Sequence, residues 1–556
     1  MIVLGVNGWG DGRGAGHDDP AAALVVDGRL VAFVEEERLN RVRHSRSMLP
    51  VLAVDYVLRE GGIELDDVDV VACGWDLPRL NNLRGRSWDL DDAQFVRRIT
   101  GQQPHRIPRV CWVAHHDAHA ASVFLWSGLA SAAVLIADGR GEDTSISIYR
   151  ARGNKLEFAR SWPFEQSLGL FYQSVGEHCG FGRYDAGKTM GLASYGRAGT
   201  RPFMSWRDDD IVTPVPPCDR ASAVHRSWDA LLDRRYGPPV RIAPGFDTLR
   251  SRPIRHDVDV ANLKPGVAAD AQAAVDDLMF ALARYALQTT GEHDLCVAGG
   301  VALNCVANGS LVDRGVPLHL MPAPHDAGVA LGAALLVSAQ HGLSIKHDGR
   351  TDLGPGYSSG MIRDHLVHTG FDVVELDDPA EAAAERLSRG QVLGWFQGRA
   401  EVGPRALGHR SILASPSVVE HRDRVNRVKR RERWRPFAPA LLAEESRYLF
   451  GRDIDSPYMQ MSFTLTDCAV AEYPAIAHVD QTARPQTVQP GTGPYADLLC
   501  EMRDQNGHGV VLNTSFNGPG EPIVCTPEDA IRAFATMPLD ALIIENFLIA
   551  RKGLES

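Results

Sequence analysis

Residues 2–35 read Ile2-Val-Leu-Gly-Val-Asn-Gly-Trp-Gly-Asp-Gly-Arg-Gly-Ala-Gly-His-Asp-Asp-Pro-Ala-Ala-Ala-Leu-Val-Val-Asp-Gly-Arg-Leu-Val-Ala-Phe-Val-Glu35. The run 2–7 is β-prone. After a glycine loop, 22–26 and 30–35 flank the tight turn Asp27-Gly28 and form a hairpin; a helix signal follows. The same order returns at 132–137, at 145–149 and, past the turn Gly153-Asn154, at 156–162. A strand-plus-hairpin unit used twice, with helices between, implies a duplicated α/β domain whose ligand lies between the halves. Two further strand-to-helix junctions fit this scheme and are placed to face a nucleotide. Leu295–Ala298 runs into Gly299-Gly300, and Leu318–Met321 runs into Pro322-Ala-Pro-His-Asp326 ahead of a helix over 327–338.

The chain has 556 residues, too many for one core, since single cores stop growing at roughly 250–300 residues. The polar, Gly- and Pro-rich stretch 346–360 marks the boundary, giving a large domain over 1–350 and a small α/β domain over 351–556. Within the small half, a helix over 379–390 and strands over 392–397 and 509–513 are expected. Residues 200–265, rich in Pro, Arg and Asp, read as an irregular insertion. A formal charge of −12 argues against a protein that coats nucleic acid. Nine scattered cysteines without a C-x-x-C pair read as reduced thiols of a cytoplasmic protein. The start lacks a charged n-region, and no apolar run approaches the about 18 residues of a membrane span.

In Ala114-His-His-Asp-Ala-His-Ala-Ala121, His115 and His119 stand four apart and share one helical face, as two ligands of one metal would. Asp138, followed by Gly139, and Asp326 are strand-end carboxylates that complete a donor set suited to iron(II), manganese or zinc. Asp326 also reads as an N-cap and Asp138 as a turn former. The residues between the histidines lack the glutamate of a metalloprotease helix. Gly299-Gly300 and Asn304 open a helix whose amides can face an anion. His17, where the chain enters the second strand, reads either as a base or as a capping histidine. Lys188, alone between residues 156 and 263, reads either as a ligand contact or as a helix-terminus charge.

In the small half, Lys429, Arg431, Arg433 and Arg435 alternate through KRRERWRPF, so an extended backbone would aim four cations at one face. A solvated charge run is the competing reading, countered by Trp434 and Phe437, which favour burial. Arg405 lies in GRAEVGPRALGHRS, and arginine forks suit phosphate oxygens. Arg484, Ser515 and Asn517 are further polar candidates.

Together, HHDAH, ADGRGE, GKTMGLASYG, GGVALN, GRAEVGPRALGHRS, KRRERWRPFAPA and LNTSFN resemble the O-carbamoyltransferases of antibiotic biosynthesis and nodulation-factor decoration, over nearly the whole chain. The resemblance implies an actin/sugar-kinase-like (ribonuclease-H-like) large domain, similar to the tRNA threonylcarbamoyl-transfer protein, joined to a YrdC-like small domain. By position it makes His115, His119, Asp138 and Asp326 the ligands of a metal, typically iron, that helps hold a nucleotide. It assigns Lys429, Arg435, Ser515 and Asn517 to adenylation, with Arg405 and Arg484 as phosphate contacts. Gly139, Lys188, Gly299, Gly300 and Asn304 become nucleotide contacts, and His17 a catalytic group. The implied reaction makes carbamoyl adenylate from carbamoyl phosphate and ATP, with Mg as the substrate complex, then carbamoylates a hydroxyl of a small-molecule natural product. The labile intermediate is expected to stay covered between the two sites. A tRNA-modifying enzyme and a non-catalytic nucleotide-dependent scaffold are the rival readings. No nucleic acid or membrane partner is expected, and an oligomer is left open.

Overall fold

The repeat read from the N-terminal strand and hairpin is present strand for strand. The computed structural model describes residues 1–9, 18–199, 202–218, 220–241, 258–346, 348–367 and 369–551. His17 and the glycine loop before it lie outside the described residues. The chain divides into two compact units, one of residues 1–241 with 263–353, the other chiefly of residues from 354 onward.

The first unit opens with β1 (Ile2–Asn7), β2 (Ala21–Val26), β3 (Arg29–Glu35), β4 (Val70–Cys73) and β5 (Arg109–Trp112), which form one sheet in the order β3-β2-β1-β4-β5. A second sheet holds β6 (Ser131–Ala137), β7 (Ile146–Arg152) and β8 (Lys155–Trp162). After the small hairpin β9 (Ser205–Arg207) and β10 (Asp210–Val212), β11 (Leu295–Ala298) and β12 (Leu318–His319) complete it in the order β12-β11-β6-β7-β8. Read from the other edge, the second order matches the first. In each, an antiparallel meander of three is extended by two strands parallel to its first. This is the duplicated actin/sugar-kinase topology. The strands are near-continuous apolar runs, as sheets covered on both faces require.

Two helices follow the fifth strands of the two repeats: His115–Ser127 after β5 and Gly328–Gln340 after β12. Both are buried almost all round. A Cβ on Gly332 would stand 1.8 Å from the Ala118 carbonyl oxygen, so the helices cross where neither can carry a larger side chain.

Residues 200–265 are not wholly irregular. They include the β9–β10 hairpin and a helix over Ala221–Tyr236, whose buried face is Val224, Trp228 and Leu232. Leu318–Met321 forms only a two-residue strand before the chain turns away.

In the second unit, β13 (Asp372–Glu375), β14 (Leu393–Phe396), β15 (Arg410–Ala414), β16 (Ala438–Leu442), β17 (Phe463–Thr464), β18 (Thr482–Ala483), β19 (Gln486–Val488), β20 (Val510–Ser515), β21 (Ala541–Ile544) and β22 (Phe547–Ala550) follow in chain order. Eight of them make one mixed sheet, β13-β22-β21-β14-β15-β20-β16-β19, and β17 pairs with β18. Helices over Pro379–Ser388 and Pro494–Asn506 cover one face with Ala383, Leu387, Leu498 and Leu499. The basic row 429–435 is not extended. Lys429 ends a helix in right-handed geometry and Arg430 is left-handed at φ 46°. The expected alternation of cations along a strand therefore fails.

Candidate metal centre and polyphosphate site

Asn7 and Asp138 close the first strands of the two repeats, and Gly74 and Gly299 follow the fourth. Asp138 leaves the end of β6 pointing toward the helix over His115–Ser127. Its Oδ2 lies 3.3 Å from His115 Nε2, while its Oδ1 accepts the Gly300 amide at 2.9 Å. Asp326, just before the helix over Gly328–Gln340, lies 3.6 Å from His115 Nε2 and 3.7 Å from His119 Nε2. The two imidazole Nε2 atoms are 3.1 Å apart. One donor atom from each of His115, His119, Asp138 and Asp326 lies within 4.8 Å of all the others. The close helix crossing at Gly332 and Ala118 makes this meeting possible. Asp326 is therefore no simple N-cap, and Asp138 does more than form a turn.

Within the cluster the imidazoles and carboxylates shift one another's protonation. Burial draws the His115 imidazole down, but Asp326 and Asp138 outweigh it and push it up to about 10. Burial and the charge of His115 draw His119 down, and His116 falls to about 3 for the same reasons. Burial raises Asp326, yet His115 and His119 hold its carboxyl well below the usual range. One proton is thus concentrated where two imidazoles and two carboxylates converge. A divalent cation fits this donor set in place of the proton. His115 Nδ1 sits 3.3 Å from the Gly74 carbonyl and the Trp75 ring stacks on the imidazole at 3.8 Å, which together direct Nε2 into the cluster.

The glycine junction differs from its expectation. Gly299, at φ 92°, leads into a 3-10 turn over Gly300–Leu303, and the helix over Cys305–Asp313 starts only after Asn304. Asn304 is committed: its Oδ1 accepts from the Ala307 amide at 3.1 Å, and its side chain pairs with Gln272. Gly139 is packed against Gly169, and its carbonyl accepts a hydrogen bond from the Ser167 hydroxyl at 2.9 Å. Lys188 is buried in the first turn of the helix over Ala186–Ala193, 3.1 Å from Asp185. That is the positive end of the helix, so Lys188 is not a C-terminal helix charge.

Sequence reading missed a cluster next to residue 17. His44 Nδ1 lies 2.7 Å from Asp19, and Glu37 accepts the His44 amide at 2.6 Å. Asp18 accepts the Tyr184 hydroxyl at 2.6 Å and Arg46 Nε at 3.1 Å. Burial, with smaller contributions from the charges of Asp19 and Asp326, raises the Asp18 carboxyl against its bonds to Tyr184 and Arg46, whereas burial of Asp19 is outweighed by His44, which holds its carboxyl down. His44, Ser45 and Ser47 all have positive φ, an arrangement the isolated histidine in Arg43-His-Ser-Arg-Ser47 could have flagged.

In the second unit, Lys429 Nζ donates toward Ser515 O at 2.5 Å, Ser515 Oγ at 3.2 Å, Asn517 O at 3.1 Å and Asn517 Oδ1 at 2.5 Å. Three of the four expected adenylation residues therefore meet at one point, at the end of β20. Arg435 instead pairs with Glu432 at 3.5 Å. Arg431 is held by Asn426 Oδ1 at 2.6 Å and lies over the Phe437 ring at 3.9 Å. Burial, then the charges of Arg435 and Arg484, draw Arg431 well below the ordinary arginine value. Arg433 is exposed, and half-buried Arg484 donates to the Met459 carbonyl at 2.8 Å. Arg405 is half-buried on the loop between β14 and β15.

Comparison with known proteins shows which family the chain matches. The profile described as "Carbamoyltransferase N-terminus" matches residues 14–99 and 95–335, and "Carbamoyltransferase C-terminus" matches 384–551. Nodulation protein NolNO of Sinorhizobium fredii is 35% identical, aligned over 96% of this chain and 79% of its own length. The 3'-hydroxymethylcephem-O-carbamoyltransferase of Streptomyces clavuligerus is 28% identical, over 93% of this chain and 94% of its own. Among solved structures, full-length HypF in its phosphate- and nucleotide-bound form aligns at 13% identity with a TM-score of 0.37, over 62% of this chain and 56% of that one.

Proposed function

Because this chain belongs to the carbamoyltransferase family, whose members transfer a carbamoyl group, we propose the finer reading that it is an ATP-dependent O-carbamoyltransferase acting on a hydroxyl of a small natural product. The observation that carries ATP dependence is the second unit's cation cluster. Arg431, Arg435 and Arg484 interact as like charges with Glu432 among them, while Lys429 is aimed at Ser515 and Asn517. Like charges held together cost free energy that a polyphosphate would return.

In this reading carbamoyl phosphate first loses its phosphate to water, leaving carbamate. A carbamate oxygen attacks the α-phosphorus of ATP, the bond to the β-phosphate oxygen breaks, and carbamoyl adenylate and pyrophosphate result. Lys429 and the arginines offset charge on the five-coordinate phosphorus, while Ser515 and Asn517 orient the carbamate. We assign this step to the second unit, whose YrdC-like character is part of the proposal. In the first unit His115, His119, Asp138 and Asp326 would hold a divalent metal, proposed to be iron(II), which supplies Lewis-acid charge for an anionic phosphate. His115 is kept in one tautomer by Gly74, and the Gly300 amide fixes Asp138. The acceptor oxygen bonds to the carbamoyl carbon, the bond to AMP breaks, and the hydroxyl proton passes to a base. Asp19, which feels the charge of Asp326, and His44, bonded to Asp19, are the groups proposed to relay it.

The test is carbamoyl-phosphate-dependent exchange of labelled pyrophosphate into ATP by purified protein without acceptor. Exchange is the expected result; none from folded, metal-loaded protein would overturn the adenylation step.

A further inference from the structure

The basic segment 427–435 of the second unit carries six cations, Arg427, Lys429, Arg430, Arg431, Arg433 and Arg435, and one anion, Glu432. They divide into two sets. Lys429, Arg431 and Arg435 are buried or half-buried and belong to the proposed adenylation site. Arg427, Arg430 and Arg433 are exposed, and none of their side chains makes a hydrogen bond, ion pair or ring contact among the described residues. The acidic groups around them are engaged elsewhere or distant. Asp423, four residues before Arg427, lies 3.8 Å from Arg422, and Glu432 pairs with Arg435. Glu420 is in the first turn of the helix over Val419–Val428, and across the site Glu521 accepts the Gly518 amide at 3.1 Å.

The backbone at Arg430 argues against a plain solvated charge run. The helix over Val419–Val428 closes with the Arg430 amide on the Arg427 carbonyl at 3.0 Å and the Arg431 amide on the Asn426 carbonyl at 3.1 Å. This closure puts Arg430 in the left-handed position, at φ 46°, that glycine fills without strain. One cation in the last turn is enough to offset the negative end of the helix, and Arg427 and Arg430, three residues apart, repel each other. The outward arginines therefore cost backbone strain and Coulomb repulsion and make no contact within the chain that offsets them.

We propose that Arg427, Arg430 and Arg433 are a steering patch for small polyanions, which draws ATP and carbamoyl phosphate toward the Lys429 site without holding them once they are bound. The inference rests on the ATP-dependent reading above and adds to it how the substrates arrive. The chain as a whole carries −12 and repels such substrates, so a local positive field is what admits them. Arg430 stands between Lys429 and Arg431, and Arg433 between Arg431 and Arg435. Outward and inward charges so close along the chain lie well inside the Debye length of about 30 Å at 0.01 M salt and act on an approaching anion as one field. A charge at the rim of a site sets the association rate and its salt dependence, whereas a charge in contact with the ligand sets the dissociation rate.

The experiment uses the full chain and ATP carrying an N-methylanthraniloyl fluorophore on its ribose, followed by stopped-flow fluorescence. The triple variant Arg427→Gln, Arg430→Gln, Arg433→Gln should associate about tenfold more slowly at about 0.01 M salt. At about 1 M salt, where the Debye length is about 3 Å, the difference should shrink below about twofold. Its dissociation rate should stay within about twofold of the unaltered protein's, while Lys429→Met should speed dissociation. Arg430→Gly should melt no lower than the unaltered protein, because glycine suits φ 46°, and should still slow association at low salt. Unchanged association of the triple variant at low salt overturns the patch, and faster dissociation overturns steering in favour of direct contact. Saturable tRNA binding that the triple variant loses overturns it in favour of a nucleic-acid surface. Pyrophosphate exchange by the unaltered protein is measured alongside. Absence of both exchange and nucleotide binding there is a failure of the ATP reading, distinct from binding whose rate ignores the three arginines.

Discussion

Lys429→Met removes one charge from the proposed adenylation site while keeping most of the side chain's volume. Four acceptor atoms surround the ammonium within 3.2 Å, one more than its three N–H groups can serve. A phosphate oxygen must therefore displace one of them, and the longest contact, Ser515 Oγ at 3.2 Å, is the first to yield. At about 4 Å and an effective dielectric of about 20, a unit charge pair is worth about 4 kcal/mol. Giving up a neutral hydrogen bond costs about 1 kcal/mol. The remaining about 3 kcal/mol corresponds to about a hundredfold in rate, since each 1.36 kcal/mol is tenfold. Carbamoyl-phosphate-dependent pyrophosphate exchange should fall by about that factor, while transfer from supplied carbamoyl adenylate continues. Exchange within threefold of the unaltered protein would refute the charge argument. Loss of both activities in a protein that melts normally would refute the assignment of the two steps to separate units.

Other expectations follow from the first unit. Asp326→Asn should lower bound divalent metal at least tenfold by elemental analysis after dialysis, because it removes a carboxylate that lies within 3.7 Å of both imidazoles. Gly332→Ala places a Cβ 1.8 Å from the Ala118 carbonyl oxygen; pushing the two helices apart should cost about 1–3 kcal/mol in denaturant unfolding and reduce metal content as well. Asp276 is half-buried, and its carboxyl is raised to about 6 by desolvation, against a bond from Gln272. Its folded value is above the unfolded one, so the contribution of Asp276 to stability is most favourable below about 4 and is lost as pH rises through about 6. Asp276→Asn keeps the Gln272 contact and should remove that slope from melting temperatures measured between pH 4 and pH 7.

The duplicated domain was legible because its signal is local: hydrophobic runs of strand length separated by Asp-Gly and Gly-Asn turns. His115 and His119 were legible because helical spacing alone puts them on one face. What closes their site was not. Gly332 reads as one more small residue in an apolar helix, and only the crossing with Ala118 gives it meaning. The KRRERWRPF row failed for the opposite reason. Alternation of cations is a strand signal, but the left-handed Arg430 and the burial of Lys429 against β20 break the period. The helix over Ala221–Tyr236 escaped notice because its apolar residues, Val224, Trp228 and Leu232, are few among charges, although they recur every four residues. His44, Asp19 and Tyr184 come from three separate segments, and no spacing rule joins them.

The duplication also explains where the candidate metal centre sits. The two repeats contribute equivalent positions. Gly74 follows β4 and lends its carbonyl to His115; Gly299 follows β11 and leads into the Gly300 amide that holds Asp138. The helix after β5 brings the two histidines at its start, and the helix after β12 begins just past Asp326. Strand ends and helix starts of both halves thus converge across the contact between two equivalent helices. Such an axis is where a duplicated sheet has unspent backbone amides and carbonyls on both sides. One half has spent its strand end on Asn7, which holds the 18–19 carbonyls, and the other on Asp138, which faces the cluster. The asymmetry separates a side that carries the four proposed metal ligands from a side that presents Asp18, Asp19 and His44. In the proposed reading, transfer of the carbamoyl group to a neutral hydroxyl would use one side to hold the metal and the other to take the proton.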